Sequence, residues 1–431
     1  MSHKKKLLLY SGHCEIVGGD AKYLFELINN LNSEKYNIKV YTDINHVFEE
    51  RAQQWLTKDI SIHYLSTYPK LFANNNSNAI LNSKLINYQS LFSTVFRLYT
   101  FLKNRIAMIF GDIYNYCLFV KIINQENNID IFHFNNGGYP GKNAGLFAMA
   151  AAKKCGIKNT IMTLQNLPAN RQYLWKIPDY YNYIHDYITR KYCDIIITVA
   201  ANRLQKKMIY ERKYPKDRLK SIYHGLEDHI PLTKSKIRIK KIDIGITLDS
   251  PVLIITANLE ESRKGHKVLF KALTKITIKY PKIILLVVGD GTKKNELENY
   301  CSELSLKNNI IFLGHRTDIA ELNDIADIAI VPSIGFEGIP YTIREAMRSG
   351  KPVITTKAGG CDEAVENTVN GIIVKENDSN ELSKAIHSIL DNEQKRSKMG
   401  VSSRQKFLEK FYLPNKIKEH EELYDNLLGD S

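Results

Sequence analysis

Six short runs of nearly unbroken Val, Ile and Leu, each closed by a small or polar turn, mark the second half of the chain: PVLIITANL, KIILLVVGDG, NNIIFLGH, ADIAIVPS, KPVITTKAGG and NGIIVKE. Strands this apolar have no face to leave in water, so they belong to a parallel sheet covered by helices on both sides. The first half alternates in the same way. KKLLLYSG, a Gly-containing loop HCEIVGGD, the helical pattern AKYLFELINNLN and a second strand YNIKVYTD make one β-α-β unit, and IDIFHFNN, KNTIMTLQN, CDIIITVA and LKSIYHG follow as further strands. The expected architecture is α/β, with two doubly wound Rossmann-like domains facing across a cleft. Ligands of such sheets lie outside the carboxyl ends of the strands.

At 431 residues the chain exceeds what one core usually organises. The pattern places a first domain at 1–228, a basic and irregular linker at 229–248, a second domain at 249–408 and a closing helix at 409–431 that packs back towards the first domain. Residues 70–125 interrupt the alternation with an Asn-rich patch, FANNNSNAILNSK, and an aromatic, partly basic helical stretch. Two readings stay open there: a helix pair covering the sheet, or a surface that receives a bulky or lipid-linked acceptor.

The net charge of +14 calls for an anionic partner. Much of the excess falls between Arg203 and Lys241. No zinc finger, RNP-type aromatic motif or recognition helix accompanies it, which argues against nucleic acid. Phosphorylated small molecules remain, together with a peripheral contact with an anionic membrane. The six cysteines are scattered without metal-ligand spacing and read as incidental or buried thiols. The N-terminal apolar run is too short for a signal peptide, and no stretch of about 18 uncharged apolar residues appears. A cytoplasmic location, at the inner face of the cell membrane, is therefore expected.

Three strand-to-helix junctions offer backbone N–H groups to an anion. IVGGDAKYLFELI carries Gly18 and Gly19, and VVGDGTKKNELE is a second such turn; neither GxGxxG nor GxxxxGK[ST] is present. The third, GFEGIPYTIREAM, sets Glu337 and Glu345 on either side of Gly338, Ile339 and Pro340. Thr342 and Glu345 have capping-box spacing, which would make Glu345 a helix-start residue. If Pro340 instead opens the helix, Glu345 falls in the second turn and can face a ligand. NLEESRKGHKVLFKAL adds Arg263 and Lys264 at the start of a helix, where cations are disfavoured unless an anion joins them.

Taken together, these residues resemble a family 4 glycosyltransferase of the GT-B fold, a retaining enzyme that uses sugar nucleotides. The likeness rests on the paired glutamates within FEGIPYTIREAMRSGKPVI, the following AGGCDEAVENTVNGIIV, and RKG, VVGDG, FLGH and ADIAIVPS in order. It implies that Glu345 accepts hydrogen bonds from the nucleotide ribose and that Glu337 binds hydroxyls of the donor sugar. The backbone of Gly338, Ile339 and Pro340 would lie close to sugar and diphosphate, and Arg263 and Lys264 would neutralise the leaving diphosphate. Gly18 and Gly19 would form the first-domain loop near donor and acceptor. No cofactor or metal is implied, only a UDP- or GDP-linked donor and a saccharide or lipid-linked acceptor.

Three departures modify the resemblance. Ala257-Asn258-Leu259 stands where the family often has Gly-Arg-Leu, so Arg263 has to supply that cation. Gln165-Asn166 replaces a common His, leaving Gln165 and Asn166 as sugar or acceptor contacts without a protonation role. His224-Gly225-Leu226-Glu227 replaces Asn-Gly-hydrophobic-Asp. The expected activity is transfer of a hexosyl group, with retention, to an acceptor hydroxyl in cell-surface polysaccharide synthesis. The competing readings are a sugar-nucleotide epimerase or sugar phosphorylase on a similar scaffold, and a non-catalytic partner subunit.

Overall fold

The computed structural model describes residues 4–12, 19–44, 46–67, 89–139, 143–166, 168, 173–174, 177–178, 180–200, 202–335 and 338–429. Gly18, Glu337 and the Asn-rich patch lie outside the described residues. The chain forms two compact units. One comprises Met1–Ile197, Arg212–Lys220 and Glu422–Ser431, the other Thr198–Glu211 and Ser221–Glu421.

The first sheet contains β1 (Lys5–Ser11), β2 (Tyr36–Asp43), β3 (Ile62–Leu65), β4 (Ile131–Asn136) and β5 (Asn159–Leu164). A short antiparallel pair, β6 (Tyr173–Leu174) with β7 (Ile177–Pro178), stands apart from it, and β8 (Ile195–Thr198) and β9 (Leu219–Ser221) complete the sheet. Its order is β3-β2-β1-β4-β5-β8-β9. Leu9 of β1 lies opposite Val40 on one side and His133 on the other, in parallel register with both neighbours. Leu7, Leu8, Leu9 and Tyr10 are all buried, as a strand with covered faces requires.

The end of the C-terminal helix belongs to this unit. Tyr424 is hydrogen-bonded to His133 Nδ1 at 2.8 Å, and the same ring's Nε2 meets Thr163 Oγ1 at 2.7 Å. Asp425 accepts a bond from Tyr36 Oη at 2.9 Å and pairs with Lys35. Within residues 70–125, Gln89–Glu126 is one continuous helix of 38 residues where a helix pair was one expectation. Gly111 is its only glycine and it contains no proline, and one glycine does not break a helix packed against a neighbour.

In the second unit β10 (Val252–Thr256), β11 (Ile284–Val288), β12 (Ile310–Gly314), β13 (Ile328–Val331), β14 (Val353–Thr356) and β15 (Gly371–Val374) run in the order β12-β11-β10-β13-β14-β15. Every neighbouring pair is parallel. Leu269, Phe270 and Leu273 of the helix His266–Ile276 pack with Leu253, Leu285 and Ile330 of the strands to make the core. The strand order reverses between β10 and β13, so the loops leaving these two strands diverge and open a crevice at their carboxyl ends.

The stretch 229–248 is not irregular throughout. Lys234–Asp243 is a helix within the second unit, its N-terminus capped by Thr233 Oγ1, which accepts from the Lys236 N–H. Lys240 anchors it by pairing with Asp318 at 2.6 Å and with Glu321. None of its side chains is buried, so no apolar period marked it in the sequence.

Candidate functional site

The loop that leaves β10 turns back at Ser262–Lys264 as one 3-10 turn, and Gly265 then starts the helix His266–Ile276. Arg263 and Lys264 thus stand one turn ahead of the helix rather than in it. Gly265 has φ +77°, and a Cβ there would lie 2.1 Å from the carbonyl oxygen of Pro332, in the loop that leaves β13. The Arg263 carbonyl accepts from the Ile334 N–H at 2.7 Å. Those two contacts stitch the cationic turn to the neighbouring loop at the switch point. Arg263 pairs with Glu261, and Lys293 Nζ donates to Ser262 Oγ. A cavity of about 220 Å³ opens beside the turn, lined by Leu259, Ser262, Gly265, His266, Lys293 and Ile334.

The same β13 loop continues through Gly338, Ile339 and Pro340 into the helix Tyr341–Arg348. Pro340 occupies the N-cap position and Tyr341 is the first helical residue, so Thr342 does not cap the helix and the capping-box reading fails. Glu345 falls in the second turn and is only 8 % exposed, with Arg348 in electrostatic reach. The Gly338 carbonyl accepts from the Gly360 N–H at 3.1 Å, where the short helix Cys361–Ala364 begins. A side chain on Gly360 would meet Ala200 and Ile339 at 3.0 Å, so the close approach of these loops depends on that glycine.

Two buried charges that sequence reasoning missed hold this arrangement. Arg344, 1 % exposed, donates to the carbonyls of Ile339 at 3.2 Å and His224 at 2.9 Å and lies over the Tyr341 ring. Glu363 accepts from the Asn202 N–H at 2.8 Å and the Tyr223 hydroxyl at 3.1 Å. The only sequence signal for Arg344 is an arginine set among Ile343, Ala346 and Met347, on a helix that also buries Glu345. His224 therefore contributes its backbone oxygen to the support of the Tyr341–Arg348 helix.

Three histidines of the second unit are held neutral by burial. His266 is pushed down to about 4, chiefly by desolvation and then by the Lys264 charge. His420 is also pushed down to about 4 by desolvation and the Lys416 charge, against a bond from its ring to the Lys416 carbonyl. His224 is lowered well below its ordinary value by burial, Arg344 and His420. At His266 and His420 the unfolded chain takes up a proton near pH 6.5, whereas the folded chain does so only near pH 4. Stability is thus complete above about pH 6.5 and falls as the pH drops towards 4, by up to roughly 3 kcal/mol for each group. Thermal unfolding followed from pH 7 to pH 4 should show this decline, and His266→Phe should flatten part of it. A melting temperature constant across that window would contradict the assignment.

In the first unit, the crevice residues sit where β1, β4 and β5 end. Gly19 is the first residue of the helix Gly19–Asn30. Asn135 Nδ2 donates to the Asp20 carbonyl and to Ser11 Oγ, both at 3.1 Å. Because that carbonyl can only accept, Asn135 Oδ1 faces Gln165 and takes a 2.7 Å bond from Gln165 Nε2. Gln165 Oε1 is left buried without a hydrogen-bond partner, in a residue 5 % exposed. A ligand hydroxyl would complete it. Asn166 Nδ2 donates to the Gly137 carbonyl at 2.8 Å, and so steadies the backbone beside Asp20. Among the described residues no group of three His, Cys, Asp or Glu side chains could hold a metal ion.

Residues 236–406 match the family model described as glycosyl transferases group 1. Curated relatives include N-acetyl-alpha-D-glucosaminyl L-malate synthase of Bacillus anthracis, 23 % identical over 55 % of this chain and 61 % of its own length. Another is the Escherichia coli UDP-Gal:alpha-D-GlcNAc-diphosphoundecaprenol alpha-1,3-galactosyltransferase, 28 % identical over 34 % of this chain and 38 % of its own length. The matched stretches thus span at most about six tenths of these relatives. Among solved structures, Anabaena HepE in complex with UDP superposes with a TM-score of 0.75, 19 % identity, 97 % of this chain and 99 % of that one. That likeness establishes the fold as GT-B, two Rossmann-like units in one chain. Segment 236–406, which holds the cationic turn and the Glu345 helix, is the part of the chain that is similar to the group 1 glycosyl transferases.

Proposed function

We propose that this chain is a retaining hexosyltransferase that uses a UDP- or GDP-sugar and delivers the sugar to a hydroxyl of a lipid-linked saccharide in cell-surface polysaccharide assembly, working in the cytoplasm at the inner membrane face. The observation that carries the reading is the stitching of the Arg263–Lys264 turn to the β13 loop at the switch point of the second sheet. In this reading Arg263 and Lys264 balance the diphosphate, and Glu345 accepts from the ribose hydroxyls. The backbone of Gly338, Ile339 and Pro340 lies along the sugar and diphosphate, and Glu337 takes the sugar hydroxyls. Within the first unit, Gly18 and Gly19 are assigned to donor and acceptor binding, Gln165 Oε1 to receiving a hydroxyl and Asn166 to holding the loop.

The anomeric carbon's bond to the diphosphate oxygen breaks while the acceptor oxygen attacks the same face, and the acceptor proton passes to the leaving phosphate oxygen. The products are the glycosylated acceptor and the nucleoside diphosphate. Neither a carboxylate nucleophile nor a metal takes part in this scheme. Cations beside the leaving group act where negative charge grows, usually the largest contribution to such catalysis. The names of the relatives support the substrate class: the E. coli protein uses UDP-Gal and a diphosphoundecaprenol acceptor.

A thermal-shift panel of UDP- and GDP-sugars tests this, followed by NMR of slow donor hydrolysis with the best binder. At a hundredfold excess over Kd the stabilisation should be about 2.7 kcal/mol, or roughly 5 to 10 °C for a unit of this size. Glu345→Gln should weaken that binder by about 10- to 100-fold, the loss of hydrogen bonds to a charged acceptor. No shift with any sugar nucleotide would sink the proposal.

A further inference from the structure

Over residues 106–115 the helix Gln89–Glu126 has its polarity reversed. Facing inward are Gly111, Asp112, Asn115, Phe119, Ile122 and Ile123, all buried. Facing outward are Ile106, Ile109, Phe110 and Ile113, between 49 % and 62 % exposed. Positions 99, 103, 106, 110, 113, 117 and 121 advance by three or four residues, so Tyr99, Lys103 and Lys121 share this exposed stripe. A surface helix of a protein surrounded only by water places its apolar stripe inward. This one turns isoleucine and phenylalanine out while keeping an aspartate and an asparagine in.

The stripe does not stand alone. The long helix packs on Asn143–Lys154, which packs on Tyr180–Tyr192, where Ile184 and Tyr187 are again exposed. Among the described residues of these three helices the exposed charged side chains are Lys103, Lys121, Lys154 and Lys191, and every one is a cation. We propose that this face of the first unit docks on the anionic leaflet of a lipid bilayer, with the isoleucine and phenylalanine stripe at the acyl boundary and the lysines among the headgroups.

Composition alone would let Ile106–Glu126 cross a membrane. Phe119, Ile122 and Ile123 are part of the unit's own core, however, so the helix lies along the bilayer surface. A second copy of the chain suits the face less well, since a self-contact would set lysines against lysines with no exposed acid between them. The basic run 203–241 also exposes cations, but it interleaves them with the exposed acids Glu211, Asp217, Glu227 and Asp228. Arg212 is buried beside Asp186, Arg218 donates to the carbonyls of Asp194 and Arg190, and Lys240 is paired with Asp318.

The proposal does not rest on the transferase reading, because vesicle binding is measured without sugar nucleotide. In co-sedimentation, the full chain should bind vesicles of equimolar phosphatidylcholine and phosphatidylglycerol and should bind pure phosphatidylcholine far less. The Ile106→Ser, Phe110→Ser double variant should lose about tenfold or more in affinity. Lys103→Glu with Lys121→Glu should lose a similar factor, and added salt should weaken the parent chain in the same direction. Both double variants should keep the parent's melting temperature. Should either fail to fold, Phe110→Trp serves in its place, its emission shifting to the blue and being quenched by brominated lipid when vesicles are added. The proposal is overturned if the parent chain ignores anionic vesicles, if the serine variant binds as tightly, or if the emission of the Phe110→Trp variant does not change. It is equally overturned if analytical ultracentrifugation shows a dimer that the serine substitutions dissociate.

Discussion

Replacing Lys264 by alanine should lower donor turnover by about 100- to 1000-fold while the melting temperature stays within about 2 °C of the parent's. The reasoning begins with where the charge stands. Lys264 closes a 3-10 turn immediately before a helix N-terminus, where the helix field disfavours a cation. Such a charge contributes little to folding, and removing it leaves the turn's own bond from the Lys264 N–H to the Glu261 carbonyl intact. In the proposed reaction the same ammonium balances charge that grows on the departing diphosphate. Its loss should therefore appear in kcat more than in affinity for the donor. Arg263→Ala should be milder, because Glu261 already engages that guanidinium. Single-turnover hydrolysis of the best-binding sugar nucleotide, followed by NMR, provides the measurement. Unchanged turnover in Lys264→Ala would remove the diphosphate role.

Gly265→Ala should be among the most damaging single-methyl changes near the site. The residue sits at φ +77°, and the added Cβ would fall 2.1 Å from Pro332 O, with the Pro332 carbonyl carbon at 2.9 Å. A left-handed alanine alone costs about 1 to 2 kcal/mol. Separating a backbone oxygen from a Cβ that close requires the two loops to part, so a total of roughly 3 to 4 kcal/mol is expected, a large share of an ordinary domain's stability. For a unit of this size that is a fall of about 6 to 15 °C in melting temperature. Gly314→Ala is the control: it has φ +65° and nothing within 4 Å of the added Cβ, so only the conformational cost applies. If the two variants melt together, the stitching of the loops is not as described. Gly265→Ala should also lose turnover in the fraction that remains folded, since parting the loops displaces the Arg263 carbonyl from the Ile334 N–H.

Much of the second sheet was legible because its strands are apolar on both faces. PVLIITANL contains β10 and ADIAIVPS contains β13, and their place in the order puts the cationic turn at the switch point. Local chemistry was harder to read. Thr342 and Glu345 have a capping box's spacing, and only the observed helix start at Tyr341 excludes it. The helix Lys234–Asp243 escaped notice because its stability comes from a cap and from Lys240 paired with acids some 80 residues away, not from an apolar stripe. Arg344 and Glu363 were missed for a related reason. Each is buried against backbone groups more than 100 positions distant, His224 O and the Asn202 N–H, and no window of sequence contains both partners. Gln165 was found as a position, but the orphaned oxygen that makes it interesting follows only from the donor and acceptor logic of Asn135.

The route of the chain sets a condition on the gene itself. Contact density assigns 198–211 and 221–421 to one unit while 212–220 and 422–431 return to the other. No single stop codon or start codon therefore yields either unit whole. A message ending after residue 228 would encode a first sheet whose His133 has lost Tyr424 and whose Tyr36 and Lys35 have lost Asp425. Recombination that exchanges one half of such a gene for another must carry codons 422–431 along with those for 1–197 and 212–220, or select new partners for the residues they leave behind.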